Sequence, residues 1–170
     1  MSLGFPLCKE PNRLRMTIEA RRGELVLSTD PARMDVAVIH GFLTRSYWAE
    51  GIPEPIVRRS IAGSLCVGAF CSERQVAFAR VISDRATFAH LADVFVLEGF
   101  RGRGLSTWMM EVIFTHPELQ GLRRWTLGTR DAHDLYRRYG FTALAAPERA
   151  RERHDADVYR RDGRATPDGR

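Results

Sequence analysis

Val94-Phe95-Val96-Leu97-Glu98-Gly99-Phe100-Arg101-Gly102-Arg103-Gly104-Leu105-Ser106 is the stretch whose reading decides the fold. Its first four residues are apolar on both faces, the pattern of a central buried strand. The glycines end that strand, and Gly104 opens an amphipathic helix. Leu105, Trp108, Met109, Val112 and Ile113 recur there at i, i+3, i+4, i+7 and i+8. A helix start carries unpaired backbone N–H groups with partial positive charge, and glycine lets an anion approach them closely. Arg101 and Arg103 add full charges. The chemistry is that of a phosphate or pyrophosphate cradle. Two phosphate motifs come near and fail. Gly99-x4-Gly104 has P-loop spacing, but Leu105 stands where the lysine belongs. Gly102-x-Gly104-x-x-Thr107 lacks the third glycine of a dinucleotide fingerprint, and no repeated βαβ pattern precedes it. A tight strand-to-helix turn that binds nothing would share the same glycines.

Outward from this loop, Thr87 to Leu97 reads as one long strand. Leu65 to Phe70 and Val76 to Ile82 read as an antiparallel hairpin around Cys71-Ser72-Glu73-Arg74. Leu25 to Leu27 is a short strand, and a helix runs from Asp35 to near Arg45. A second short helix spans Pro55 to Ile61. Beyond the central helix, His116-Pro117 is a stop. Trp125 to Leu127 is a strand, and Asp131 caps a helix from Ala132 to Tyr139 with Gly140 behind it. Phe141 to Leu144 and Val158 to Arg160 are candidate final strands. Residues 1–16 form an expected loose arm, 17–162 one domain, and 163–170 a tail. The order β-α-α-β-β-β-α-β-α-β implies an α/β (α+β) domain, a mixed sheet with helices packed on it.

The chain has 170 residues, 44% hydrophobic and 28% charged, enough for one domain with a real core. No apolar run approaches the ~18–20 residues of a membrane span, and no signal pattern opens the chain. The net charge is +5. The excess sits in residues 1–22 and 149–170, and residues 23–148 balance to zero. Lys9 is the one lysine beside 25 arginines, which fits coding bias better than phosphate tracking. Nucleic-acid binding is therefore not expected as the main function. The three cysteines, Cys8, Cys66 and Cys71, form no metal pattern, and a cytoplasmic home is the simplest expectation. No zinc pair and no serine-hydrolase elbow appears, so no metal is expected.

Arg101-Gly102-Arg103-Gly104-Leu105-Ser106 resembles the R/Q-x-x-G-x-G/A signature of the GCN5-related N-acetyltransferase (GNAT) superfamily. Asp93-Val94-Phe95-Val96 resembles that family's D-L-Y-V strand. Ala132-His133-Asp134-Leu135-Tyr136-Arg137-Arg138-Tyr139-Gly140-Phe141 resembles its A-x-x-L-Y-x-x-x-G-F segment. The likeness covers roughly residues 25–145, and the motifs together are more specific than any one. The whole chain is also similar to a subgroup of small bacterial members with S-Y-W-A early and T-R-D-A-H-x-L-Y late. The resemblance implies a mixed, mostly antiparallel sheet of six to seven strands with about four helices. It implies acetyl-CoA as acyl donor and a primary amine as acceptor, a small molecule in preference to a protein. Three departures stand out: Ser106 replaces the usual Gly or Ala, Glu98 the frequent proline, and Thr129 the often-seen asparagine.

The resemblance assigns cofactor contacts to Phe95, Val96, Arg101, Gly102, Arg103, Gly104, Leu105, Ser106 and Thr129; His133, in the first turn of the last helix, is a further candidate along the cofactor path, with simple exposure the alternative. Tyr136 matches the family's general acid toward the coenzyme A sulfur, and a phenol is protonated at pH 7; a packing tyrosine is the alternative. Asp93 is a candidate base for the amine proton or a structural acceptor. His90 lies three residues earlier, so strict alternation puts it on the opposite face unless the strand bulges. Tyr47, Trp48 and Arg80 are candidate acceptor-side residues; Tyr47 and Trp48 could instead close the core, and for Trp48 core closure is the expectation. The expected assembly is a monomer or homodimer. A non-catalytic module that binds acetyl-CoA as a sensor, or serves only in interaction, is the alternative function.

Overall fold

The computed structural model describes residues 16–162 of the chain. Six strands form one sheet in sequence order: β1 (Glu19–Arg22), β2 (Leu25–Ser28), β3 (Leu65–Cys71), β4 (Arg74–Ser83), β5 (Phe88–Val96) and β6 (Arg124–Leu127). β1 to β5 pair antiparallel, and β6 runs parallel to β5. The helices are α1 (Val36–Leu43), α2 (Glu54–Ala62), α3 (Leu105–Thr115), α4 (His133–Arg137) and α5 (Val158–Asp162). The mixed, mostly antiparallel architecture matches the expectation. No helix among the described residues is long and apolar enough to cross a membrane.

Local chemistry explains the well-read elements. Asp35 Oδ1 accepts from the N–H groups of Ala37 and Val38 at 2.9 and 3.1 Å, a side-chain cap that starts α1. Ser72 and Glu73 both have positive φ, 47° and 67°, as a two-residue hairpin turn between β3 and β4 requires. The residues of β3 are buried from Leu65 to Phe70, since both faces of the sheet are covered. One core holds Val67, Ala77, Ala79, Val81 and Leu91 against Met109, Met110 and Ile113 of α3. The other holds Cys66, Phe78 and Phe95 against Ile39 and Leu43 of α1 and Val57 and Ile61 of α2. Each large side chain so buried contributes about 1.5–3 kcal/mol. The fully buried Gln75 ties α1 to β4: its Oε1 accepts from Asp35 N–H, and its Nε2 donates to the Ala77 carbonyl.

Four local expectations need correction. β1 precedes Leu25; its EARR sequence carries no apolar alternation, and β1 is held at the sheet edge by pairing with β2. Phe141 to Leu144 forms no strand: Phe141 instead packs against Phe114 and Tyr136. Val158 to Arg160 lies in α5. The last core-packed helix is shorter than the expected Ala132–Tyr139, and Asp131 does not cap it. Thr129 Oγ1 accepts from Ala132 N–H at 3.1 Å instead. The expected arm and tail lie outside the described residues save for Met16, and so does Cys8. Cys66 is buried and Cys71 half-buried.

The feature that positions the site is a bulge in β5. Phe78 pairs with Phe95, but Arg80 pairs with Ala92, so Asp93 and Val94 together face the single residue Ala79. Asp93 has φ 55°, and the extra residue reverses the alternation. β5 and β6 stay paired only as far as Leu91 and Leu127. Beyond that pair the two strands separate and leave a slot.

Candidate active site

Leu97 leaves β5 into a single 3-10 turn, Glu98–Phe100, and the chain reaches α3 through Gly102 and Gly104, both at φ 75°. That conformation is strained for any residue with a Cβ. Space is not the constraint, because a Cβ at Gly104 would meet no atom within 4 Å. The N–H groups of Leu105, Ser106 and Thr107 precede the first intrahelical bond, which runs from Trp108 N–H to the Gly104 carbonyl. A cavity of ≈ 290 Å³ lies over this turn, lined by Val96, Arg101, Gly102, Gly104, Leu105, Ser106 and Leu135. The donor set fits a pyrophosphate: free helix N–H groups, a serine hydroxyl and a guanidinium. Arg101 Nε donates to the Val96 carbonyl at 3.2 Å, which fixes its side chain over the loop. Arg103 is turned outward, stacked on Phe100 and 3.5 Å from Glu24, and does not line this cavity.

Val96 lines the first cavity, and its backbone turns to the side of β5 away from β4. Leu97 N–H donates to Val76 of β4, so the Val96 carbonyl, across the same peptide, points away from β4 toward the open side. The Phe95 side chain goes elsewhere: it stacks on Phe42 at 3.9 Å in the core beneath α1.

A second cavity of ≈ 410 Å³ occupies the slot. Its walls include Trp48, His90, Asp93, Val94, Thr129 and Tyr136, with Tyr47 and Glu152 at the margin. Leu135 lines the first cavity and Tyr136 the second, so α4 stands at both. Tyr136 is 7% exposed, and its hydroxyl has no partner among the described residues. Burial, with Tyr47 and Asp131 adding to it, pushes its phenol up to about 12. It is therefore a proton donor throughout the physiological range.

Asp93 is the most constrained side chain here. Oδ2 accepts from Arg80 Nε at 2.7 Å and Oδ1 from Trp48 Nε1 at 3.2 Å. Arg80 also donates to Ser64 Oγ, and it stands behind Asp93 without lining the cavity. Trp48 is 42% and Tyr47 50% exposed, so neither closes the core. Tyr47 is held from outside: its hydroxyl accepts from Arg130 N–H, and the Arg130 guanidinium lies 4.1 Å from its ring centre.

His90 is the residue that sequence reasoning missed as part of this site. The bulge brings Asp93 round to the His90 face, against strict alternation, and both line the slot. The one available signal was the polar Asp93 in an otherwise apolar run. His133 lines neither of these cavities but a ≈ 470 Å³ groove beside β6, which shares Thr129 and Tyr136 with the slot. No group of three or more potential metal ligands occurs among the described residues.

The chain is similar to known proteins. A family model described as an acetyltransferase (GNAT) domain matches residues 62–143. A Gibberella zeae protein provisionally named an acetyltransferase is 31% identical over 138 residues, 68% of this chain and 77% of that one. A Xanthomonas campestris crystal structure, provisionally assigned to the GNAT acetyltransferases, is 51% identical with a TM-score of 0.78. It covers 79% of this chain and 96% of its own. A Clostridium acetobutylicum protein solved with acetyl-CoA shares the fold at 16% identity and a TM-score of 0.56, over 76% and 94% of the two chains. With the cradle, the split strands and the buried tyrosine in place, these relationships make the chain a member of the GNAT acetyltransferase family, and an acyltransferase.

Proposed function

We propose that the protein transfers the acetyl group of acetyl-CoA to the primary amine of a small molecule, by direct attack in a ternary complex. The observation that carries this reading is Tyr136, a protonated, unpartnered phenol in the slot beside the glycine cradle. The cradle at Arg101, Gly102, Gly104, Leu105 and Ser106 holds the pyrophosphate, with Arg103 a charge nearby. The outward-facing backbone of Val96 meets the pantetheine arm. When bound, acetyl-CoA supplies the activated acyl group. Tyr136 gives its proton to the departing sulfur, a step that positioned acids accelerate by about 10²–10⁴. Asp93 is already an acceptor for two donors, and its role is to hold Trp48 and Arg80 at the acceptor side. A cavity of ≈ 410 Å³ suits a small-molecule acceptor in size.

The test is a calorimetric titration of acetyl-CoA into wild type and Gly104→Asp, followed by turnover of Tyr136→Phe. Micromolar binding that is lost in Gly104→Asp supports the cradle. Tyr136→Phe is expected to bind acetyl-CoA normally and lose transfer. Absence of binding to wild type overturns the reading. Undiminished turnover in Tyr136→Phe removes the acid assignment. Binding by wild type with no transfer to any amine is the outcome that favours a sensor module.

A further inference from the structure

We propose that His90 takes the ammonium proton from the acceptor amine, with Thr126 as the residue that positions it; the inference rests on the acyl-transfer reading above. Three observations carry it. First, the β5 bulge places His90 and Asp93 in the wall of one cavity, the cavity that Tyr136 also lines. Second, His90 and Thr126 are direct partners across the parallel β5–β6 ladder, one residue before the strands part. His90 Nδ1 lies 2.8 Å from Thr126 Oγ1, while Nε2 has no partner among the described residues. One ring nitrogen is held and the other is left open at the mouth of the slot. With Nδ1–H donating to Thr126, the lone pair stands on Nε2. Third, the competing carboxylate is occupied, since Asp93 accepts from both Arg80 and Trp48.

The charges around His90 keep it in the form this role needs. Burial, aided by Arg80, holds the imidazole below its ordinary range, and Asp93 opposes them. Asp131 and Glu152 also line this cavity and attract a cationic amine toward it. The proton balance closes. A primary ammonium gives one proton to His90 Nε2 and becomes a neutral nucleophile. The C–N bond then forms as the thioester C–S bond breaks, and the sulfur takes the Tyr136 proton. The second amine proton returns to Tyr136, and His90 releases its own to solvent. One proton leaves per turnover, as amide formation from an ammonium requires.

The experiment has two arms on the full chain. In the first, nitrogen NMR of the histidine rings reads the tautomer, and the His90 signals are identified by their loss in His90→Gln. The expected result is the Nδ1–H tautomer in wild type and a tautomer mixture in Thr126→Val. An Nε2–H tautomer in wild type overturns the proposal. In the second, thiol release from acetyl-CoA is followed with two probe amines at pH 7. Butylamine is an ammonium there, whereas trifluoroethylamine is neutral. His90→Gln is expected to lower kcat/KM about a hundredfold with butylamine and far less with trifluoroethylamine. An equal loss with both amines marks a structural role and overturns the proposal. No transfer by wild type to either amine is a failure of the acyl-transfer reading, and His90 is then judged on its tautomer.

Discussion

Asp93 and Arg80 face each other across the β4–β5 ladder at 2.7 Å because β5 holds one residue more than β4 between their flanking pairs. Their side chains are only 10% and 14% exposed, so the pair is shielded from solvent and salt. Removing one charge leaves the other buried. Asp93→Asn keeps a side chain that tolerates the positive φ, so it isolates the charge. It is expected to lower unfolding stability in urea by about 3 kcal/mol. Asp93→Val adds a β-branched residue at φ 55° and is expected to lose a further ~1–3 kcal/mol. Equal stabilities for the two variants would contradict the backbone part of this account.

The glycines of the loop differ in what they supply. Gly104 is needed for its φ of 75°, not for space, so Gly104→Ala is expected to cost about 1–2 kcal/mol in thermal or urea unfolding. Gly99 has an ordinary φ and open surroundings. Gly99→Ala is therefore expected to be neutral or to stabilise by ~0.4–1 kcal/mol. The reverse ranking in a melting series would show that the loop's conformation is not the one described.

The acid role proposed for Tyr136 has an alkaline signature. The phenol is pushed up to about 12 by burial, and in the acid role proposed for it the protonated form does the work. The rate is expected to show no falling limb from this group up to pH 10. A steady-state profile that declines with an apparent pKa near 10, and does so only when Tyr136 is present, would mean a solvated phenol.

His116 governs part of the acid limit of stability. It is fully buried at the end of α3, its Nδ1 accepts from Glu118 N–H, and burial lowers its pKa. The proton sits on Nε2; the Met16 backbone and Glu118 favour the charged ring, and burial outweighs them. A lowered folded pKa means the unfolded chain binds more protons. Stability is then complete above the unfolded value of about 6.5 and falls as pH drops through it. His90 acts with the same sign. Urea midpoints are expected to decrease from pH 8 to pH 5, and to decrease less in His116→Gln. An unchanged slope in both His116→Gln and His90→Gln would remove this explanation.

Elements with strong periodicity or caps were readable from local chemistry. Asp35 starts α1, Gly104 starts α3, and the hairpin at Ser72-Glu73 and the strand before the glycine loop lie where their residue types require. The weakly patterned pieces were not readable. β1 forms only because β2 offers it an edge, and in the β-prone run Phe141 to Leu144 the ring of Phe141 is drawn into an aromatic cluster. Thr129 shows the same effect at one residue: its hydroxyl anchors α4 in place of Asp131, a choice set by loop geometry.

The sequence by itself determined the strand-turn-helix cradle, the helix that carries Tyr136 and the family the chain belongs to, because each rests on residues close together in the chain. The tertiary structure alone decided which side chains share a site. One extra residue in β5 turns Asp93 to the His90 face and delivers it to Arg80 and Trp48. The parting of β5 from β6 after Leu91 and Leu127 opens the slot. A bulge and a splay are differences in register between strands, and register depends on the partner strand, which no local pattern of residues contains.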